Sequence, residues 1–159
     1  MSSMYDYRTI VVGTDGSDLA APTVARAAWL AAHDDANLVV VCAYSDLSRR
    51  QEARNVATIG GDTRVGQTLG RLAATEALAD AVALAQQQKA TISAALLVDA
   101  EPTEALLSTA GEHGADLIVV GAMRDQSIAD RLLGTVASDV VRRADCEVLI
   151  VRPRAAERA

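Results

Sequence analysis

Thr9-Ile10-Val11-Val12-Gly13-Thr14-Asp15-Gly16-Ser17 is the stretch on which the fold of this 159-residue chain turns. Its apolar run is continuous, not alternating, and it ends in two glycines, two hydroxyls and a carboxylate. Strands covered on both faces read this way, as in a parallel sheet held between helix layers. Leu38-Val39-Val40-Val41 and Leu117-Ile118-Val119-Val120 repeat the pattern. Five strands are expected, over Thr9–Gly13, Asn37–Tyr44, Thr91–Val98, Asp116–Gly121 and Glu147–Arg152.

Helical spacing fills the intervals. Ser17 to about His33 carries Leu19, Val24, Ala27, Ala28, Leu30 and Ala31, with Asp15 and Ser17 as candidate caps and Pro22 near the start. Further helices are expected over Leu69–Gln88, Glu101–Glu112 (stopped before Gly114) and Thr135–Arg143. In the last, Asp139 precedes Arg142 and Arg143 by the spacing of helix ion pairs. Strands alternating with helices make an α/β, doubly wound open sheet with right-handed crossovers. One domain over 1–159 is expected, with short flexible tails at about 1–6 and 153–159. The connection Ser45–Gly66 has little periodicity, and a functional lid and a disordered loop both fit its length.

Composition narrows the function. Half the residues are apolar and only 3% aromatic, with no Phe, so the core is built from Val, Leu, Ile and Ala. A net charge of −6 argues against nucleic-acid binding, which needs a basic face. No apolar run reaches the length of a membrane span, and Met1–Tyr7 lacks the pattern of an export signal. A cytoplasmic protein is expected, with Cys42 and Cys146 as buried reduced thiols.

In doubly wound sheets, ligands bind beyond the carboxyl ends of the strands, where strand order reverses. Two such ends are chemically rich. Gly134-Thr135-Val136 opens the last helix, where N–H groups and the helix dipole suit a phosphate; an ordinary helix cap fits equally. Thr14 and Asp15 end the first strand. Asp15 reads as a cap or as a carboxylate accepting from ribose hydroxyls, since it cannot favourably face a phosphate.

These residues together resemble the universal stress protein family. Val11–Ser17 resembles its first strand and turn, and Ala115–Gly121 its fourth strand. Leu132–Val136 with Val140–Arg143 and Val148–Arg152 resembles its closing helix and strand. The likeness covers nearly the whole chain and is nearest to small single-domain actinobacterial members, some binding ATP and some cyclic AMP. It implies a flavodoxin-like five-stranded parallel sheet of order 3-2-1-4-5 with helices on both faces, and a homodimer joined through the fifth strand. It implies an adenine nucleotide as ligand, Mg with any ATP, no tightly held metal and a regulatory binding role in stress response without catalysis. In the family motif G-x2-G-x9-G-[ST], Gly121 and Gly134 take the outer glycines and Thr135 the hydroxyl. Carried over, Asp15 contacts ribose, the Ala43 backbone reads the adenine edge, and Gly134, Thr135 and Val136 hold phosphate. Arg124 stands at the second motif glycine, where it either obstructs the loop or pairs with a phosphate. The alternative function is therefore a nucleotide-free dimer acting as a protein-interaction module. Ala137 replaces a hydroxyl common in ATP-binding relatives, and Asp99 a frequent glycine.

Other nucleotide and catalytic motifs fail. There is no G-K-[ST] phosphate loop, no G-x-G-x-x-G in the first turn and no G-x-S-x-G elbow. Lys89, the sole lysine, follows the second helix, where a phosphorelay receiver would not use it. His33 and His113 fall near helix ends and form no metal spacing with the cysteines.

Overall fold

A computed structural model describes residues 5–45, 68–122 and 133–152. Five parallel strands carry the architecture: β1 Thr9–Thr14, β2 Asn37–Ser45, β3 Thr91–Asp99, β4 Leu117–Gly121 and β5 Glu147–Val151. Their order is β3-β2-β1-β4-β5, the expected one. Helices α1 Ala20–Asp34, α2 Arg71–Gln87, α3 Pro102–His113 and α4 Thr135–Arg143 connect them.

The unbroken apolar runs are explained by burial on both faces. Ile10, Val12, Leu38, Val40, Leu117 and Val119 pack under α1 and α2 with Val24, Ala27, Ala81 and Ala85. Their neighbours Val11, Val39, Val41, Ile118 and Val120 pack on the opposite face with Ala105, Leu106, Ala137 and Val140 of α3 and α4. Alanine at the helix positions lets the helices lie close to the sheet, which is how a core with few aromatics fills. The edge strands are less covered, and β5 is half-exposed along Val148–Val151.

Thr68–Leu69 forms a two-residue parallel strand that the sequence did not suggest. Tyr44 pairs with Asp99 of β3 on one edge, so Thr68 lies on the other, which β1 vacates after Thr14 pairs with Cys42. The Gly70 N–H seals this turn on the Ser45 carbonyl at 3.0 Å.

Three expectations are corrected. Helix α1 begins at Ala20, not Ser17, with Leu19 at its N-cap and no side-chain cap. Asp15 and Ser17 instead close a turn on each other, and Gly16 between them holds φ +78° with the Ala77 Cβ only 2.9 Å from where its own would stand. An L residue at 16 would meet both strain and a clash. Arg142 does pair with Asp139, but Arg143 reaches across to Glu104 of α3 at 2.6 Å. Cys42 is buried as expected; Cys146 is half-buried, and that partial burial pushes its thiol pKa up.

At the end of the sheet away from the strand carboxyl ends, Asp116 accepts from the Arg8 and Thr9 N–H groups at 3.0 and 3.1 Å. Asp34 accepts from the Tyr7 N–H at 2.9 Å. The His33 hydrogen bond and then this N–H hold the Asp34 carboxyl below its ordinary range. These clamps set the start of β1 against the start of β4 and the end of α1. Residues 46–66 of the expected connection Ser45–Gly66, and residues 1–4 and 153–159 of the expected tails, lie outside the described residues.

Candidate functional site

Strand order reverses at β1: the chain passes first to β2 on one side and later crosses to β4 on the other. The β1–β4 ladder pairs only Ile10, Val11 and Val12 with Leu117, Ile118 and Val119. Beyond it no ladder joins Gly13 and Thr14 to Val120 and Gly121, and a crevice opens over the strand ends. It holds about 750 Å³ of space, part of it open to solvent.

The crevice has an apolar body formed by Val41, Leu106, Val119 and Val120, with polar groups set at its sides. One side is the β1–α1 turn. The Asp15 Oδ1 accepts from the Ser17 N–H at 2.9 Å and the Ser17 hydroxyl at 2.5 Å, while the Thr14 Oγ1 accepts from the Gly16 N–H at 3.2 Å. These bonds hold the Asp15 carboxylate in one orientation at the rim. Asp15 is the single ionisable side chain among the described residues lining the crevice.

The other side is the start of α4. The first helix-type bond runs from the Ser138 N–H to the Gly134 carbonyl at 3.0 Å. The N–H groups of Thr135, Val136 and Ala137 precede it and have no acceptor in the structure among the described residues. Unpaired donors at a helix start, reinforced by the helix dipole, suit an anion. Gly134 is the exception. Its N–H donates to the Ala122 carbonyl at 2.8 Å, and its φ of −64° is open to any residue. The expectation that it offers a donor is therefore corrected: the bond instead ties the start of α4 to the end of β4.

Thr14, Asp15, Ala43, Gly121, Gly134, Thr135 and Val136 all line this one crevice, so the expected set is brought together in space. Ala43 is buried, one residue past the last β2 pairing with β1. Gly121 sits in a tight place: a Cβ there would stand 3.0 Å from the Thr23 Oγ1. Arg124 lies outside the described residues. Sequence reading missed Thr23, Leu106 and the Ala137 N–H, because burial in helix periodicity looks the same whether a residue faces the core or a cavity. Among the described residues, no group of three or more His, Cys, Asp or Glu could hold a metal ion, and no helix is long and apolar enough to cross a membrane.

Similar proteins are consistent with this geometry. A universal stress protein of Mycobacterium tuberculosis H37Rv is 38% identical over 148 residues, covering 93% of this chain and 98% of that protein. A universal stress protein solved in complex with cAMP is 35% identical, with a TM-score of 0.67 over 92% of this chain and 98% of its own. The universal stress protein of Archaeoglobus fulgidus in complex with dAMP is 25% identical, with a TM-score of 0.63 over 91% and 98%. The universal stress protein family itself matches residues 6–152, from before β1 to just past β5, and to that family the chain belongs.

Proposed function

We propose that the crevice binds an adenine nucleotide, with phosphate at the start of α4 and ribose against Asp15, and that the protein acts in stress response by binding, not catalysis. One observation carries the reading. An oriented carboxylate and three N–H groups without acceptors among the described residues line the same apolar crevice. A bare anion would leave the Asp15 side unused, and a neutral nucleoside would leave the α4 donors unused. A phosphorylated nucleoside uses both. The cAMP and dAMP complexes of similar proteins support this ligand class. With ATP, Mg2+ would arrive on the phosphates.

The test needs only the purified protein. Denaturing it should release an adenine nucleotide, or the empty protein should give binding heat with ATP, AMP or cyclic AMP. Protein that is empty and gives no heat with any of the three defeats the reading. Incubated with ATP, it should release no phosphate above buffer; turnover near about 1 s⁻¹, ordinary for an enzyme, would make the site catalytic.

The same reading includes a homodimer joined along β5 in the cytoplasm. The outer edge of β5 has no partner strand among the described residues, and Val141 nearby is 47% exposed. An apolar edge of this kind favours strand pairing with a second copy. Sedimentation equilibrium should give twice the 16.6 kDa of the chain; a mass of one chain at micromolar concentration rules the dimer out. The cytoplasmic placement is supported by Cys42 and Cys146, free thiols that a reducing compartment preserves. Cell fractionation that finds the protein outside the cytoplasm overturns it.

A further inference from the structure

We propose that Thr23 is a further ligand-contacting residue of the crevice, one that reads a hydroxyl of the bound sugar; this rests on the nucleotide-binding reading above. Thr23 lies near the start of α1, is only 4% exposed and lines the crevice. Among the described residues, nothing hydrogen-bonds to its hydroxyl. Two other helical hydroxyls return to their own backbone: Thr75 donates to the Arg71 carbonyl at 2.8 Å, and Ser108 to the Ala105 carbonyl at 3.4 Å. Thr23 does not use that solution. No buried side-chain oxygen among the described residues lacks a partner, so the unpaired Thr23 hydroxyl opens into the crevice, where a group that enters can meet it.

Gly121 keeps that hydroxyl accessible. Any side chain at 121 would begin with a Cβ 3.0 Å from the Thr23 Oγ1 and close over it.

The chemistry of the α1 side decides what the hydroxyl meets. The Asp15 carboxylate only accepts, and the α4 N–H groups only donate, while a threonine hydroxyl does both. A phosphate cannot donate to Asp15 and is drawn to α4. The side built from the β1–α1 turn and the first turns of α1 therefore faces the uncharged, hydroxyl-bearing part of the ligand. There one sugar hydroxyl donates to Asp15, and Thr23 bonds a sugar hydroxyl beside Gly121. Thr23 thus separates ribonucleotides from their deoxy analogues.

The experiment compares wild type, Thr23→Val and Thr23→Ser. Calorimetry uses ATP, AMP and cyclic AMP beside their 2′-deoxy analogues and, for ATP and AMP, the 3′-deoxy analogues. Thr23→Val should bind the ribonucleotide about 3- to 10-fold more weakly, the size of one neutral hydrogen bond. For the analogue lacking the contacted hydroxyl, wild type and Thr23→Val should bind alike. Thr23→Ser should stay within about twofold of wild type, since it keeps the hydroxyl. Without ligand, Thr23→Val should melt no lower than wild type, because it removes a hydroxyl that has no partner. Equal affinity of Thr23→Val and wild type for the ribonucleotide overturns the proposal, as does the same loss for ribo and every deoxy ligand. Wild-type protein that takes up none of the three nucleotides instead removes the function proposed above, and this inference with it.

Discussion

Asp15→Ala lowers affinity for adenosine nucleotides by about 10- to 100-fold and leaves pyrophosphate binding within a factor of about two. The magnitude is that of a hydrogen bond to a charged group, roughly 1.5–3 kcal/mol. The selectivity follows from the layout. Asp15 belongs to the β1–α1 turn and the phosphate donors belong to α4, so a ligand without a sugar does not need the carboxylate. The substitution also removes the acceptor for the Ser17 N–H and hydroxyl. Asp15→Asn separates the two effects: its amide oxygen still accepts from Ser17 but carries no charge, so its loss should fall between alanine and wild type. Calorimetry with AMP and pyrophosphate on all three proteins checks the outcome. Equal losses for both ligands would show that the carboxylate shapes the turn and does not contact ribose.

Thr135→Pro gives the complementary pattern, weakening nucleotide and pyrophosphate alike by about 10-fold or more, as the loss of a charge-assisted N–H predicts. Thr135 is the first residue of α4, where the missing N–H of proline removes no helix bond. Gly134 before it is extended, at φ −64° and ψ 165°, the conformation a residue preceding proline adopts. The helix should therefore remain, with a melting temperature within about 2 °C of wild type, since the change removes no buried contact. Thr135→Val, which keeps the N–H and loses only the hydroxyl, should lose less. Unchanged pyrophosphate affinity in Thr135→Pro would show that the start of α4 does not hold phosphate. The two variants together distinguish one end of the ligand from the other.

Much of the fold was legible because two-sided burial leaves a local record. Ile10–Val12, Leu38–Val41 and Leu117–Val120 could be recognised as inner strands from their own composition, and each is buried in the sheet. Helix α4 was legible at roughly its observed span, Thr135–Arg143, because glycine before it and amphipathic spacing within it agree. The start of α1 was not. Asp15 and Ser17 both have cap chemistry, and nothing local shows that they bond each other and delay the helix to Ala20. The strand at Thr68–Leu69 was invisible for a related reason: two residues carry no periodicity, and their pairing depends on the edge of β2 that β1 leaves open.

The sequence determined the fold class and, through its family likeness, the strand order and seven described residues that meet in one crevice. The fold class is written in continuous apolar runs, which two-sided burial imposes on inner strands. Tertiary structure alone decided which groups of that crevice have partners. It showed the Gly134 N–H taken by Ala122, the Ala137 N–H joining the expected donors of Thr135 and Val136, and the Thr23 hydroxyl set against Gly121. Hydrogen-bond satisfaction joins residues distant along the chain, so it exists only once the strands and helices have packed.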